Sequence, residues 1–163
     1  MIFHHDLIDK IIDKGVLIQD RAHFIILNIH NENIGFLNVY APNKPNERKL
    51  FWDSLADSTP QASCWCLGGD FNMIERLEDR TRSNGSIIQR TELSAWERLS
   101  FQLGVSDIWE AHGFYQMSDS LMFSRTDRKV QGANMSTLDR FYASNFILSH
   151  GRSCPCAHFY AQN

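Results

Sequence analysis

The sequence predicts an α/β fold in which a helical crossover extends a sheet, and three features carry that expectation. Two apolar runs rich in β-branched residues, at 23–29 and 34–40, are separated by Asn31-Glu32-Asn33, the pattern of a β-hairpin. The stretch 46–57 spaces Leu50, Phe51 and Leu55 as one face of a helix and lies between two strand-like runs, which suggests a βαβ-like connection. The third feature is Cys64-Trp65-Cys66-Leu67-Gly68-Gly69-Asp70-Phe71-Asn72. It is an apolar run that stops at two glycines and then presents two short polar side chains, as a buried strand ending at a site rim would.

Taken in order, residues 6–14 carry Leu7, Ile8, Ile11 and Ile12 on one face of a short helix closed by Gly15. Strands follow at 16–19, 23–29 and 34–40, and His23 and His30 read as ordinary edge or loop residues. The third strand ends at Tyr40-Ala41-Pro42-Asn43, because Pro42 has no N–H to give a ladder. Asn46 is placed to cap the helix that runs to about Asp57. If the strands before Tyr40 and Asp70 are parallel, their C-terminal ends share the sheet edge where α/β proteins place ligands. From Glu75 to Gly85 there is no apolar periodicity, which marks a surface loop.

Leu93, Trp96, Leu99 and Leu103 then mark an amphipathic scaffold helix over 89–103, ended by Gly104. Two more strands are expected at 118–124 and 136–142, joined by the basic loop Arg125-Thr126-Asp127-Arg128-Lys129. No pattern marks 149–163. The organisation expected is an N-terminal helix at 1–14, one folded domain at 15–148 and an irregular tail at 149–163.

The bulk composition narrows the function classes. A chain of 163 residues suits one domain, and 43% hydrophobic with 12% aromatic residues suffices for a packed core, which excludes a disordered chain. The formal net charge of −3 gives no overall basic footprint, so nucleic-acid contact would have to come from a local patch. No apolar run nears the roughly 20 residues that span a bilayer, and the start lacks a signal-peptide layout. The expectation is a soluble intracellular protein. Cys64, Cys66, Cys154 and Cys156, with His158 nearby, invite a zinc reading. The spacing within each pair is shorter than structural zinc sites use, and the first pair's apolar surroundings favour buried reduced thiols.

On a regular strand Asp70 and Asn72 would point to one side while Phe71 turns into the core. A carboxylate can orient and deprotonate a water, and a carboxamide N–H can donate to a phosphate oxygen, which together describe half of a phosphoester-hydrolysing site. The plainer alternative is a turn in which Asp and Asn bond their own backbone. For the cations of 125–129, the two readings are a solvated loop and contacts to phosphate.

Three motifs stand in order: Asn38-Val39-Tyr40-Ala41-Pro42-Asn43, Gly69-Asp70-Phe71-Asn72 and Ser136-Thr137-Leu138-Asp139-Arg140-Phe141-Tyr142. Together they resemble the endonuclease/exonuclease/phosphatase superfamily over roughly residues 15–148. Asp70 to Arg80 and Phe123 to Tyr142 are similar to the endonuclease segments of plant LINE-type retrotransposon polyproteins. The resemblance implies a partial two-sheet β-sandwich flanked by helices, hydrolysis of phosphodiester bonds with Mg²⁺ or Mn²⁺, DNA as partner and a nuclear location. Within it, Asp70 would orient the attacking water and ligate the metal, and Asn72 and Tyr40 would hold the scissile phosphate. Asn43, Arg125, Arg128 and Lys129 would contact the substrate. Asp139 would orient a histidine that stabilises charge in the transition state.

The chain departs from the family pattern at both ends. The Gln-Glu-Thr-like segment that gives the family a glutamate metal ligand is absent, and so is the Ser-Asp-His segment of its last strand. Cys154-Pro155-Cys156-Ala157-His158-Phe159 offers His158 in place of the family histidine, with Ala157 where the metal-linked aspartate would stand; Glu75 or His158 would have to replace lost ligands. The expectation is therefore a copy lacking the first and last strands, weakly active or inactive, and prone to self-association through uncovered sheet edges. Two alternatives stand beside it: a non-catalytic nucleic-acid-binding or vestigial fragment, and a phosphatase of the same superfamily acting on a small or lipid phosphate.

Overall fold

The computed structural model describes residues 4–76, 79, 90–111, 125–127 and 134–150. Its centre is a six-stranded mixed sheet built from β1 (Ile11–Ile18), β2 (Ala22–Ile29), β3 (Glu32–Tyr40), β4 (Cys64–Asp70), β5 (Val105–Asp107) and β8 (Asp139–Ser144). The strands lie in the order β1-β2-β3-β4-β8-β5. A separate two-stranded ladder pairs β6 (Arg125–Asp127) with β7 (Asn134–Ser136). Helices α1 (Pro45–Ser58) and α2 (Arg90–Leu103) pack on the sheet, and two short helices, α3 (Ile108–Ala111) and α4 (Asn145–His150), follow β5 and β8.

The first departure from expectation lies at the N-terminus. Residues His5–Lys10 form a 3-10 turn, and Ile11–Ile18 is a strand rather than the second half of a helix. Gly15 does not stop a helix; it sits inside β1 opposite Phe24 of β2. The apolar spacing of Leu7, Ile8, Ile11 and Ile12 fits helix and strand alike over so short a stretch, and pairing with β2 decides the matter. The β2–β3 hairpin is as expected, turning through His30 and Asn31 at φ 54° and 67°, the left-handed pair of a two-residue turn.

α1 begins at Pro45, with Lys44 rather than Asn46 in the cap position, because proline's fixed φ suits the first helical residue. Its inner face is Arg48, Phe51, Trp52, Leu55 and Ala56. Leu50, expected to face inward, is 64% exposed: it lies one step off the stripe that Arg48, Phe51, Trp52 and Leu55 define. β4 returns parallel to β3, completing the βαβ unit. α2 buries Ala95, Trp96, Leu99 and Leu103 together with Glu92, and Gly104 at φ 61° ends it as its position predicts.

Between the helices and the sheet lies an aromatic core. Phe71 turns inward as expected and is fully buried, 5.4 Å from Trp52, 5.1 Å from Trp96 and 5.0 Å from Tyr142 between ring centroids. Trp52 and Trp96 are themselves 5.1 Å apart, which joins α1 to α2. Truncating either tryptophan would cost about 3–5 kcal/mol.

Two elements differ in the second half. The stretch 136–142 is not one strand: Thr137 and Leu138 interrupt it, so Ser136 ends β7 and Asp139 opens β8. Arg125–Asp127, read as part of a basic loop, is instead a strand paired with Asn134–Ser136. The expected strand at 118–124, the loop residues Arg128 and Lys129, and 151–163 lie outside the described residues. None of the described helices is long and apolar enough to cross a membrane.

Candidate active site

The site begins as a consequence of strand register. β3 and β4 are parallel with Tyr40 opposite Asp70, and β4 and β8 are antiparallel with Asp70 opposite Asp139. Residues in register across a sheet share a face, so Tyr40, Asp70 and Asp139 form one row over three adjacent strands. The row lies on the face opposite the aromatic core. Leu37, Val39, Leu67 and Tyr142 point to the core, and each row residue follows or precedes a core residue at odd spacing. Tyr40 and Asp139 are exposed and Asp70 is half-buried.

β4 can reach this position because of Gly69. Its φ is 141°, and a Cβ there would overlap the carbonyl oxygen of Val39 in β3. The glycine that looked like a strand exit is thus a site of close backbone approach in the last pairs of the β3–β4 ladder.

Beyond Asp70 the strand alternation fails. Asn72 adopts φ 50°, and its backbone N–H donates to Asp70 Oδ1 at 2.8 Å, so the turn reading is realised alongside the site. Asn72 Nδ2 donates to the carbonyl of Ala41 at 2.8 Å, while Ala41 N–H donates to the carbonyl of Asp70, also at 2.8 Å. The loops after β3 and β4 are therefore stitched together. A carboxamide has two N–H donors, and this arrangement uses one.

Two buried arginines on the core side hold the rim loops from behind. Arg48 in α1 donates from Nη1 to the carbonyls of Pro42 and Asn43, at 3.0 Å and 2.6 Å. Its other nitrogens face Glu92 of α2, Nε to Oε1 at 2.5 Å and Nη2 to Oε2 at 3.2 Å. Arg140, the neighbour of Asp139, pairs with Asp79 and, at 2.9 Å, with Asp107. Asp79 Oδ2 also accepts the backbone N–H groups of Glu75 and Arg76 at 2.9 Å each, and its carbonyl accepts Thr137 N–H at 2.9 Å. The segment after Asn72 is thereby fastened to the segment before Asp139. Sequence reading placed Glu75 and Asp79 in an unstructured polar loop; a lone Asp among charged neighbours carries no periodic signal that would mark it as buried.

Glu75, named from the sequence as a possible replacement ligand, is engaged on the core side in this geometry. It accepts a hydrogen bond from the Tyr142 hydroxyl on the core side. Burial pushes its carboxyl above the ordinary range, and the nearby Arg140 charge opposes that shift. Burial and the Glu75 charge likewise hold the Tyr142 phenol well above its usual value. Cys64 and Cys66 are free thiols raised chiefly by burial, Cys66 to about 12, in keeping with unreactive cysteines.

The fit for a divalent cation rests on the facing pair. Asp70 and Asp139 are in register across β4 and β8, so a hard cation bound between the strands would find a carboxylate on each. Mg²⁺ typically takes one or two carboxylates and keeps its waters, so this donor set suits it. Among the described residues, the one group of three His, Cys, Asp or Glu side chains close enough to share an ion is His4, His5 and Asp6, exposed in the N-terminal turn and away from this row in sequence.

Of the residues expected to form the site, the fold brings Tyr40, Asp70 and Asp139 into one row and sets Asn72 and Asn43 on the two stitched loops. Arg125 lies in β6, while Arg128, Lys129 and His158 fall outside the described residues. Sequence reading missed Arg21. It precedes β2 and lies against Tyr40, with Nη1 donating to the Tyr40 carbonyl at 3.2 Å and the guanidinium 5.4 Å from the ring centroid. Only the hairpin register, extended one residue past Ala22, could have shown it.

A mixed sheet with helices packed on one face is a fold this chain shares with several solved structures. An AP endonuclease from Archaeoglobus fulgidus superposes with a TM-score of 0.58 at 16% identity, over 85% of this chain and 60% of that one. The endonuclease domain of TRAS1, a telomere-specific non-LTR retrotransposon, gives 0.55 at 14% identity, over 91% of this chain and 60% of that one. The 3′ phosphatase NExo from Neisseria, bound to a product DNA hairpin, gives 0.55 at 15% identity, over 85% and 60%. In sequence, the transposon TX1 uncharacterized 149 kDa protein of Xenopus laevis is 22% identical over 155 residues, 93% of this chain and 11% of that protein. No protein-family model matches the chain. The chain thus spans about three-fifths of the solved structures it resembles and about a tenth of the transposon protein.

Proposed function

We propose that this chain is part of a nucleic-acid phosphodiesterase domain of the retrotransposon endonuclease kind, hydrolysing DNA with a divalent cation, Mg²⁺ or Mn²⁺. The observation that carries the reading is the row Tyr40, Asp70, Asp139 at the ends of three neighbouring strands. The likeness in fold to the TRAS1 endonuclease domain and in sequence to a transposon protein supports it.

Asp70 would hold the cation, with Asp139 opposite it as a second carboxylate rather than the histidine-orienting group that the resemblance implies, and the bound cation would supply positive charge to the phosphoryl oxygens. Asp70 orients and accepts a proton from the attacking water through the carboxylate oxygen not committed to Asn72 N–H. The remaining Asn72 amide hydrogen and the Tyr40 hydroxyl donate to the scissile phosphate. Asn43 stands on the loop whose carbonyls Arg48 holds, where its carboxamide would contact the substrate. Incubation with supercoiled plasmid and Mg²⁺ tests the reading: metal-dependent nicking that Asp70→Ala abolishes supports it, and nicking that survives this substitution overturns it.

A further inference from the structure

We propose that His4, His5 and Asp6 form a binding site for a borderline divalent cation of the Zn²⁺ kind, separate from the carboxylate row and independent of the phosphodiesterase reading. One ligand atom from each of the three side chains lies within 4.8 Å of the other two. His4 Nδ1 is 3.2 Å from Asp6 Oδ2, and His5 Nε2 is 2.7 Å from Asp6 Oδ1. Ligand atoms on a tetrahedral Zn²⁺ each stand about 2.0–2.2 Å from the metal and so about 3.4 Å from one another. Both nitrogen–oxygen spacings are within about 1 Å of that value, a change that small rotations of exposed side chains supply.

Three consecutive residues converge here because the backbone changes direction between them. Within a regular 3-10 turn, with three residues per turn, successive side chains point in different directions. His4 instead stands ahead of the turn His5–Lys10 in an extended conformation, at φ −63° and ψ 144°. Its ring lies beside that of His5, with centroids 4.3 Å apart. Leu7 N–H donates to the His4 carbonyl at 3.0 Å, and Ile11 N–H donates to the Ile8 carbonyl where β1 begins. The turn that carries the ligands is therefore closed at both ends.

Chemistry selects the ion. Two imidazole nitrogens and one carboxylate oxygen suit Zn²⁺, Cu²⁺ or Ni²⁺, whereas Mg²⁺ and Ca²⁺ take oxygen ligands. The side chains of His4, His5 and Asp6 are 68%, 79% and 70% exposed, so water can complete the coordination, as it does around ions with three protein ligands. Asp6 pairs with both imidazoles and with no lysine or arginine among the described residues, which leaves its charge to the ion. A bound cation ties the residue before the turn to the first two residues within it, and so stabilises the lead-in to β1.

The test is a Zn²⁺ titration of the isotope-labelled full chain at neutral pH, followed by NMR of the imidazole nitrogens with Mg²⁺ in excess. The His4 and His5 signals should move together, with one dissociation constant. Asp6→Asn should weaken that binding at least about tenfold, since loss of even an outer-shell partner costs that much. Asp70→Asn should leave it unchanged. The wild-type titration stands by itself if a variant fails to fold. Histidines that respond with different constants, or an Asp6→Asn chain that binds like the wild type, would mean independent surface imidazoles and overturn the site. A response that excess Mg²⁺ suppresses, or that Asp70→Asn removes, overturns it equally by placing the ion at the carboxylate row.

Discussion

Asp70 and Asp139 face each other across the antiparallel strands β4 and β8, far apart in sequence and one strand apart in space. Two carboxylates so placed offer a hard cation oxygen ligands from both strands.

Mg²⁺ should therefore stabilise the chain. At ten times its Kd the gain is about 1.4 kcal/mol, which for a chain of this size is a rise in Tm of about 3–5 °C. Asp70→Asn and Asp139→Asn should each remove most of that shift. Thermal melts with and without Mg²⁺ check this; an equal shift in both variants would place any bound ion elsewhere.

The Glu75 carboxyl is raised above 4.5 chiefly by burial. A carboxylic acid raised on folding contributes stability that is fully present below its unfolded pKa and is lost as pH climbs through the folded value. At neutral pH the charged form is thus a burden. Glu75→Gln, which can still accept from the Tyr142 hydroxyl, should melt higher than wild type at pH 7, and the difference should vanish below about pH 4. A difference independent of pH would mean that Glu75 does not titrate differently on folding.

Removing one partner of a buried ion pair leaves an uncompensated charge. Arg140→Met strands Asp79 and Asp107 and should cost about 3–5 kcal/mol in denaturant unfolding. Arg48→Met should cost a similar amount through Glu92, whereas adding Glu92→Leu should recover most of the loss. If the double variant is no better than the single, the pair's value lies in its carbonyl contacts to Pro42 and Asn43 rather than in charge.

Gly69→Ala and Gly104→Ala both place a side chain at positive φ, but the surroundings differ. Around Gly104 there is open space, so only the backbone strain, about 1 kcal/mol, applies. At Gly69 the new Cβ would meet the Val39 carbonyl, so the β3–β4 pairing must shift and the loss should exceed that at Gly104 by about 2 kcal/mol or more. Equal Tm values for the two variants would show that the ladder can relax around Gly69.

Much of the fold was legible because local patterns agreed with the final packing. The β2–β3 hairpin, the crossover helix, α2 and the inward turn of Phe71 each follow from periodicity or turn chemistry within a few residues. The N-terminal segment was not, because four isoleucines and leucines over six positions fit a helix and a strand equally, and pairing with Leu27 and Phe24 chose the strand. Leu50 and Asn46 were misplaced by a single step, since the helix starts at Pro45 and its phase is set by the burial of Trp52.

For the site, the sequence by itself determined that Tyr40 and Asp70 end strands, beside Pro42 and the glycines 68 and 69, whereas Asp139 stood out only through the family resemblance and was placed inside a longer strand, 136–142. Only the tertiary structure decided how they combine. Strand register, a long-range hydrogen-bonding choice, put Tyr40, Asp70 and Asp139 in one row with Arg21 at its end and turned Glu75 toward Tyr142. Burial of Asp79, Arg140, Arg48 and Glu92 likewise follows from charges distant in sequence meeting in the core, where pairing is the condition for their being there at all.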